Sequence, residues 1–152
     1  MVGALRRSRS LEFEPLVRDE IVLAVPPGHS AAGGTVSLDD LRQETVIAMQ
    51  EGAGVRQVVD EELRRAGLRV RDLEPRLELG LQESVKSAVA AGFGLTFISR
   101  TAIEGELASG ALAVARVAGL DPARQIYVVR ANGRPPTRAA AAFLEFARMK
   151  TS

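Results

Sequence analysis

The stretch Gln50-Glu-Gly-Ala-Gly-Val-Arg56 decides how this chain is read. Before it lies an apolar run, Glu44-Thr-Val-Ile-Ala-Met49, with the length and β-branched content of a buried strand. After it, Val55, Val58, Val59, Leu63 and Ala66 fall on one helical face. The spacing therefore predicts a strand over 44–49 and a helix over about 55–66. Gly67 should stop that helix, since glycine readily adopts the left-handed conformation that closes a last turn. On the helix's outer face, Arg56, Asp60 and Arg64, with the pair Glu61/Arg65, stand at i,i+4 spacing in a water-facing arrangement. A glycine-rich turn between strand and helix aims unpaired backbone N–H groups outward from the helix start. Carboxylates and phosphates suit such a place. Gly52, Ala53, Gly54, Val55 and Arg56 are accordingly candidate ligand-binding residues. The competing reading is that the glycines only permit a tight turn and close packing.

A second strand, turn and helix follow. Leu77-Glu-Leu79 alternates like a strand, and Gly80-Leu-Gln-Glu-Ser84 leads into a helix with Val85, Ala88 and Val89 on one face, stopped by Gly92. Elsewhere, Leu11-Glu-Phe-Glu14 reads as a half-exposed strand that Pro15 interrupts, and Glu20–Val25 as a strand covered on both faces. Ser37 can cap a short helix near 38–41. Further strands are predicted at 95–98, 112–117 and 125–129, with a helical turn over 101–107 and a closing helix behind Pro135 and Pro136. Strands alternating with helices imply a mostly parallel sheet in an α/β fold. In such sheets ligands sit beyond the carboxyl ends of the strands, so two helix starts in one sheet would serve one crevice.

Composition narrows the function. The 152 residues are 46% hydrophobic with a net charge of +1, enough for one core and without a basic excess that nucleic acid requires. Arg6, Arg7 and Arg9 read as a solvated tail within an irregular segment over 1–10. No cysteine and one histidine exclude thiolate chemistry and a histidine-rich metal site; carboxylates alone could still bind a hard cation, but no metal ligands are assigned. No cofactor is expected either. Gly52-Ala-Gly54-Val-Arg-Gln57 lacks the third glycine of a dinucleotide fingerprint, and no phosphate-loop pattern occurs. No apolar run approaches the roughly 20 residues of a membrane span, and the start has no signal-peptide order, which points to the cytoplasm.

Several segments taken together resemble the effector-binding domain of LysR-type transcriptional regulators. They are Leu16-Val-Arg-Asp-Glu-Ile-Val-Leu-Ala-Val-Pro-Pro-Gly-His29, Val36-Ser-Leu-Asp-Asp-Leu41, Glu51-Gly-Ala-Gly-Val-Arg56 and Ala90-Ala-Gly-Phe-Gly-Leu-Thr-Phe-Ile-Ser-Arg100. Their order and spacing match over about 11–148. The resemblance implies a fold like the type 2 periplasmic binding proteins, with two α/β subdomains, two crossing strands and a ligand cleft between them. Residues 19–124 would form most of the second subdomain. Residues 11–18 and 125–148 would supply the crossing strands and the closing helix of the first. It further implies binding of a small metabolite, an organic acid or amino-acid-like molecule, without catalysis. DNA would be reached only through a winged helix-turn-helix that has no counterpart in the matched segments. Neither have the opening elements of the first subdomain, so effector binding by this chain alone should be weak or absent. Apolar surface left on the closing helix and crossing strands should favour self-association into a homo-oligomer. A transporter's solute-binding protein would share the fold but calls for an export signal.

The family's first glycine turn often carries hydroxyl residues; here those positions are Ala53 and Val55, which leaves the backbone N–H groups and Arg56. Gln82, Glu83 and Ser84 stand where the family lines its cleft. Ser84 contacts ligand or only caps its helix. Glu83 suits the helix dipole but repels an anion, and becomes more interesting if the effector is cationic or an amino acid. Thr96 and His29 are read as structural, and Arg100 as a carboxylate partner or a solvated charge.

Overall fold

The computed structural model describes residues 10–50, 53–73 and 77–151. Gly52 of the glycine turn and all but the last residue of the segment 1–10 therefore lie outside the described residues. The chain forms two compact units, one of Glu20–Ala123, the other of the chain up to Asp19 together with that from Arg124.

In the larger unit the last five residues of β1 (Leu11–Val25) are all buried. They pair antiparallel with β5 (Thr96–Ser99), Ile21 opposite Ser99, and with β6 (Ala113–Val117), Leu23 opposite Ala115. β2 (Thr35–Val36) extends the edge parallel to β6. The sheet is thus mixed rather than mostly parallel, because its buried centre, β1, runs against both neighbours. Successive strand side chains point to opposite faces. Ile21, Leu23 and Val25 join one core cluster with Val55, Val59 and Leu63 of α2 (Gly54–Arg65), while Val22 and Ala24 join another with Val85 and Val89 of α3 (Gln82–Ala90). The uninterrupted apolar run reflects that double cover.

β3 (Ile47–Met49) is shorter than the predicted 44–49, though Val46 still bridges Leu95 in parallel. It pairs parallel with β4 (Leu77–Leu79). α1 (Leu38–Gln43) starts at Ser37, whose hydroxyl accepts from the Asp40 N–H at 3.0 Å. Gly67 and Gly92, just past α2 and α3, have φ of 84° each, which is why glycine ends both helices. A 3-10 turn (Arg100–Ile103) and α4 (Glu104–Ser109) replace the predicted helical turn.

In the smaller unit β7 (Ala123–Ala131) pairs with β1. Pro15 does not interrupt β1. It is exposed, and the strand runs on through it. Asp19, only 3% exposed, accepts from Arg124 Nε at 2.8 Å. Phe13 and Tyr127 meet edge to face at 6.4 Å, and Glu14 pairs with Arg130 and Arg148. α5 (Arg138–Thr151) buries no residue.

Candidate functional site

The site begins with strand register. β3 and β4 pair in step, Ile47 with Leu77, Ala48 with Glu78 and Met49 with Leu79, so both strands end level. Gln50 N–H donates to Leu79 O at 3.2 Å, which sets the first residues of the two turns side by side. From these ends the chain enters α2 and α3. The helices cover opposite faces of the strands, yet their first turns share one strand end. Crossovers of one hand that run in opposite directions produce this arrangement, and a crevice opens at such carboxyl ends.

Neither helix start carries a side-chain cap: the N-cap residues are Ala53 and Leu81. Among the described residues, neither N-cap side chain accepts from the first-turn amides, the state in which a helix start receives an external anion. Gly54, Gln82, Glu83 and Ser84 are exposed and Ala53 is half-buried. Val55 is buried in the core, so only its N–H is available. Ser84 is the third residue of α3, which corrects its reading as the helix cap.

Arg56 departs most from its expected place. It does not lie on a water-facing stripe: its side chain is 17% exposed and reaches back over the strand ends. Nη1 donates to Met49 O at 3.0 Å and to Glu78 Oε2 at 2.9 Å. Nε lies 4.0 Å from Asp60 Oδ2 and is enclosed without a hydrogen bond. Beneath it, Val46, Met49, Val55, Val59, Leu73 and Phe97 line a cavity of about 20 Å³, room for a single water. Glu61, Arg64 and Arg65 do face water, Arg65 paired to Glu61 and Glu62 at 3.1 and 2.8 Å, whereas Asp60 is half-buried.

At the other start, Glu83 pairs with Lys86 at 2.9 Å, which offsets the carboxylate's charge. Lys86 also reaches Glu106 at 2.6 Å and Ala102 O at 3.3 Å, fastening α3 to the next two turns of the chain. The Glu106 and Glu83 carboxylates raise the Lys86 pKa, and Lys86 lowers that of Glu106. These long-range pairs were not legible in the sequence, where no local spacing links 86 to 106 or 56 to 78.

The residues read as structural spend their polar atoms within the fold. The Thr96 hydroxyl, buried, donates to Ile47 O at 2.8 Å. His29 accepts the Ala31 N–H at Nδ1, so Nε2 is the protonated nitrogen that donates to Glu44 at 2.9 Å. Arg100 is exposed. Among the described residues no cluster of His, Asp and Glu could hold a metal ion, and no helix is long and apolar enough to cross a membrane.

Comparison with known proteins supplies the family. The model of the LysR substrate binding domain matches residues 1–152. The RuBisCO operon transcriptional regulator of Allochromatium vinosum is 33% identical over 147 residues, 96% of this chain and 48% of that protein. A phosphonates import ATP-binding protein, PhnC, of Anaeromyxobacter dehalogenans is 34% identical over 97% of this chain but only 30% of its own length. The chain thus spans half or less of these curated relatives. Among solved structures, the CcmR regulatory domain of Synechocystis PCC6803 in complex with 2-PG superposes with a TM-score of 0.81 at 26% identity, covering 99% of this chain and 72% of that one. A reduced form of OxyR from N. meningitidis shares the fold, with a TM-score of 0.70 at 21% identity, over 99% of this chain and 69% of that one. The family model, matched over the whole chain, and the fold shared with these regulatory domains agree: this chain belongs to the LysR substrate binding domain family.

Proposed function

We propose that this chain is the ligand-sensing portion of a LysR-type transcriptional regulator, and that it holds a small anionic metabolite at the two helix starts. Gly52, Ala53, Gly54, Val55 and Arg56 would form one side of that site, and Gln82, Glu83 and Ser84 the other. The observation that carries the reading is the in-step parallel pairing of β3 and β4, which ends both strands beside two helices without side-chain caps. Main-chain amides suit carboxylate or phosphate oxygens, and CcmR, the similar domain cited above, is bound to 2-PG. The chain acts by binding, in the cytoplasm, and not by chemistry. In the whole regulator, an effector with different affinities for two domain poses would shift their populations and so change how a DNA-binding dimer engages its operator.

Backbone NMR of the isotopically labelled chain tests this. Titration with 2-PG should move the amides of residues 52–56 and 82–84 together. A neutral amide analogue should leave them in place. Amides that stay still with 2-PG, inorganic phosphate and a simple carboxylate would overturn the site.

A further inference from the structure

We infer that Arg56 is a positioning residue rather than a ligand: with Glu78 it clamps the first turn of α2 to the ends of β3 and β4, and the anion is left to main-chain amides. The inference rests on the reading of the two helix starts given above and refines the role of one residue in it.

Three observations carry it. First, a single nitrogen, Nη1, serves two acceptors on two strands, Met49 O at the end of β3 and Glu78 in β4. Those bonds tie α2 to both strands whose ends define the site. Second, the side chain is mostly enclosed and Nε is wholly buried, so the guanidinium edge that includes Nε is closed to bidentate recognition of an anion. Third, the charge is already compensated. Glu78 lies at 2.9 Å and Asp60 at 4.0 Å from the guanidinium, so one positive group faces two negative ones.

A direct ligand and a clamp predict opposite signs for the loss of Glu78. If Arg56 bound the anion, Glu78 would compete for it, and Glu78→Ala would tighten binding. As a clamp, Arg56 loses its anchor on β4, and binding weakens although the site gains a positive charge. Glu78 is half exposed, so the variant should fold.

The experiment follows backbone amides of wild type, Glu78→Ala and Glu78→Gln, first without ligand and then on titration with inorganic phosphate. Without ligand, Glu78→Ala should speed exchange of the Gln50 and Gln57 amides, whose bonds to Leu79 O and Ala53 O span the clamp. With phosphate, its affinity should fall roughly three- to tenfold, on the order of one hydrogen bond's net contribution. Glu78→Gln, which still accepts from Arg56, should recover most of the loss. Unchanged exchange in Glu78→Ala, or tighter phosphate binding, overturns the clamp. Failure of wild type to respond at residues 52–56 and 82–84 overturns the site reading itself, and with it any role in binding for Arg56.

Discussion

Gly94 is required because its backbone leaves no room for a side chain. A Cβ built there would lie 2.5 Å from Thr45 O and 3.2 Å from Ile47 Cγ1. The first of these is a backbone atom that accepts the Leu95 N–H at 2.8 Å, so it cannot turn aside. Gly94→Ala should therefore destabilise the chain by about 1–3 kcal/mol, the usual cost of overpacking. Urea titration should show a lower midpoint with an unchanged slope; a midpoint equal to wild type would mean that the strand end yields freely. Thr96, two residues on, illustrates a residue whose sequence reading held. Its hydroxyl is spent on Ile47 O inside the core, where an unsatisfied polar group would be costly. Arg56 illustrates the reverse. Helical spacing drew it on the wet face beside Asp60 and Arg64, but it is one residue from the buried Val55, and its length lets it fold back over the strand ends.

Between elements, the firmest electrostatic tie in the larger unit is Lys86, which joins α3 to α4 through Glu106. The two shifts have opposite signs and define a window. Glu106, held below its ordinary pKa of 4.5, contributes stability that is present above that pH and lost as pH falls through the lowered value. Lys86, held above its ordinary 10.5, contributes stability that is complete below that pH and lost as pH rises through the raised value. The tie is therefore whole between the two and fails at both extremes. Melting temperature measured against pH should fall less steeply on acidification in Glu106→Gln than in wild type. Parallel acid limbs would show that this pair adds nothing to the pH dependence. The same tie steadies the α3 start, because Glu83 shares the ammonium. The sequence placed α2 and β5 within a residue or two and the start of β3 within three, but it broke β1 at Pro15 and missed β2. The elements it placed have a local periodicity that survives without their neighbours.

For the whole molecule, the contrast between the two units predicts behaviour in solution. The larger buries two apolar clusters around the end of β1. The smaller ends in α5, where Phe143, Phe146 and Met149 are 53%, 58% and 73% exposed. Alongside, Val128, Pro136, Ala140, Phe143 and Leu144 line an open groove of about 330 Å³ between β7 and α5. Contiguous apolar surface of this kind promotes association. Sedimentation velocity should show the sedimentation coefficient rising with concentration, and Phe143→Ser combined with Phe146→Ser should abolish the rise. A wild type that sediments as one monomeric species throughout would refute this. The sequence alone determined the α/β class, the two glycine-led helix starts and the apolar face of each helix, because repeat spacing and glycine's conformational freedom act within a few residues. Tertiary structure alone decided that β1 runs against both its neighbours, that β3 and β4 end level, and that Arg56 answers to Glu78. Those outcomes depend on which distant surfaces exclude water together, and no local pattern encodes that choice.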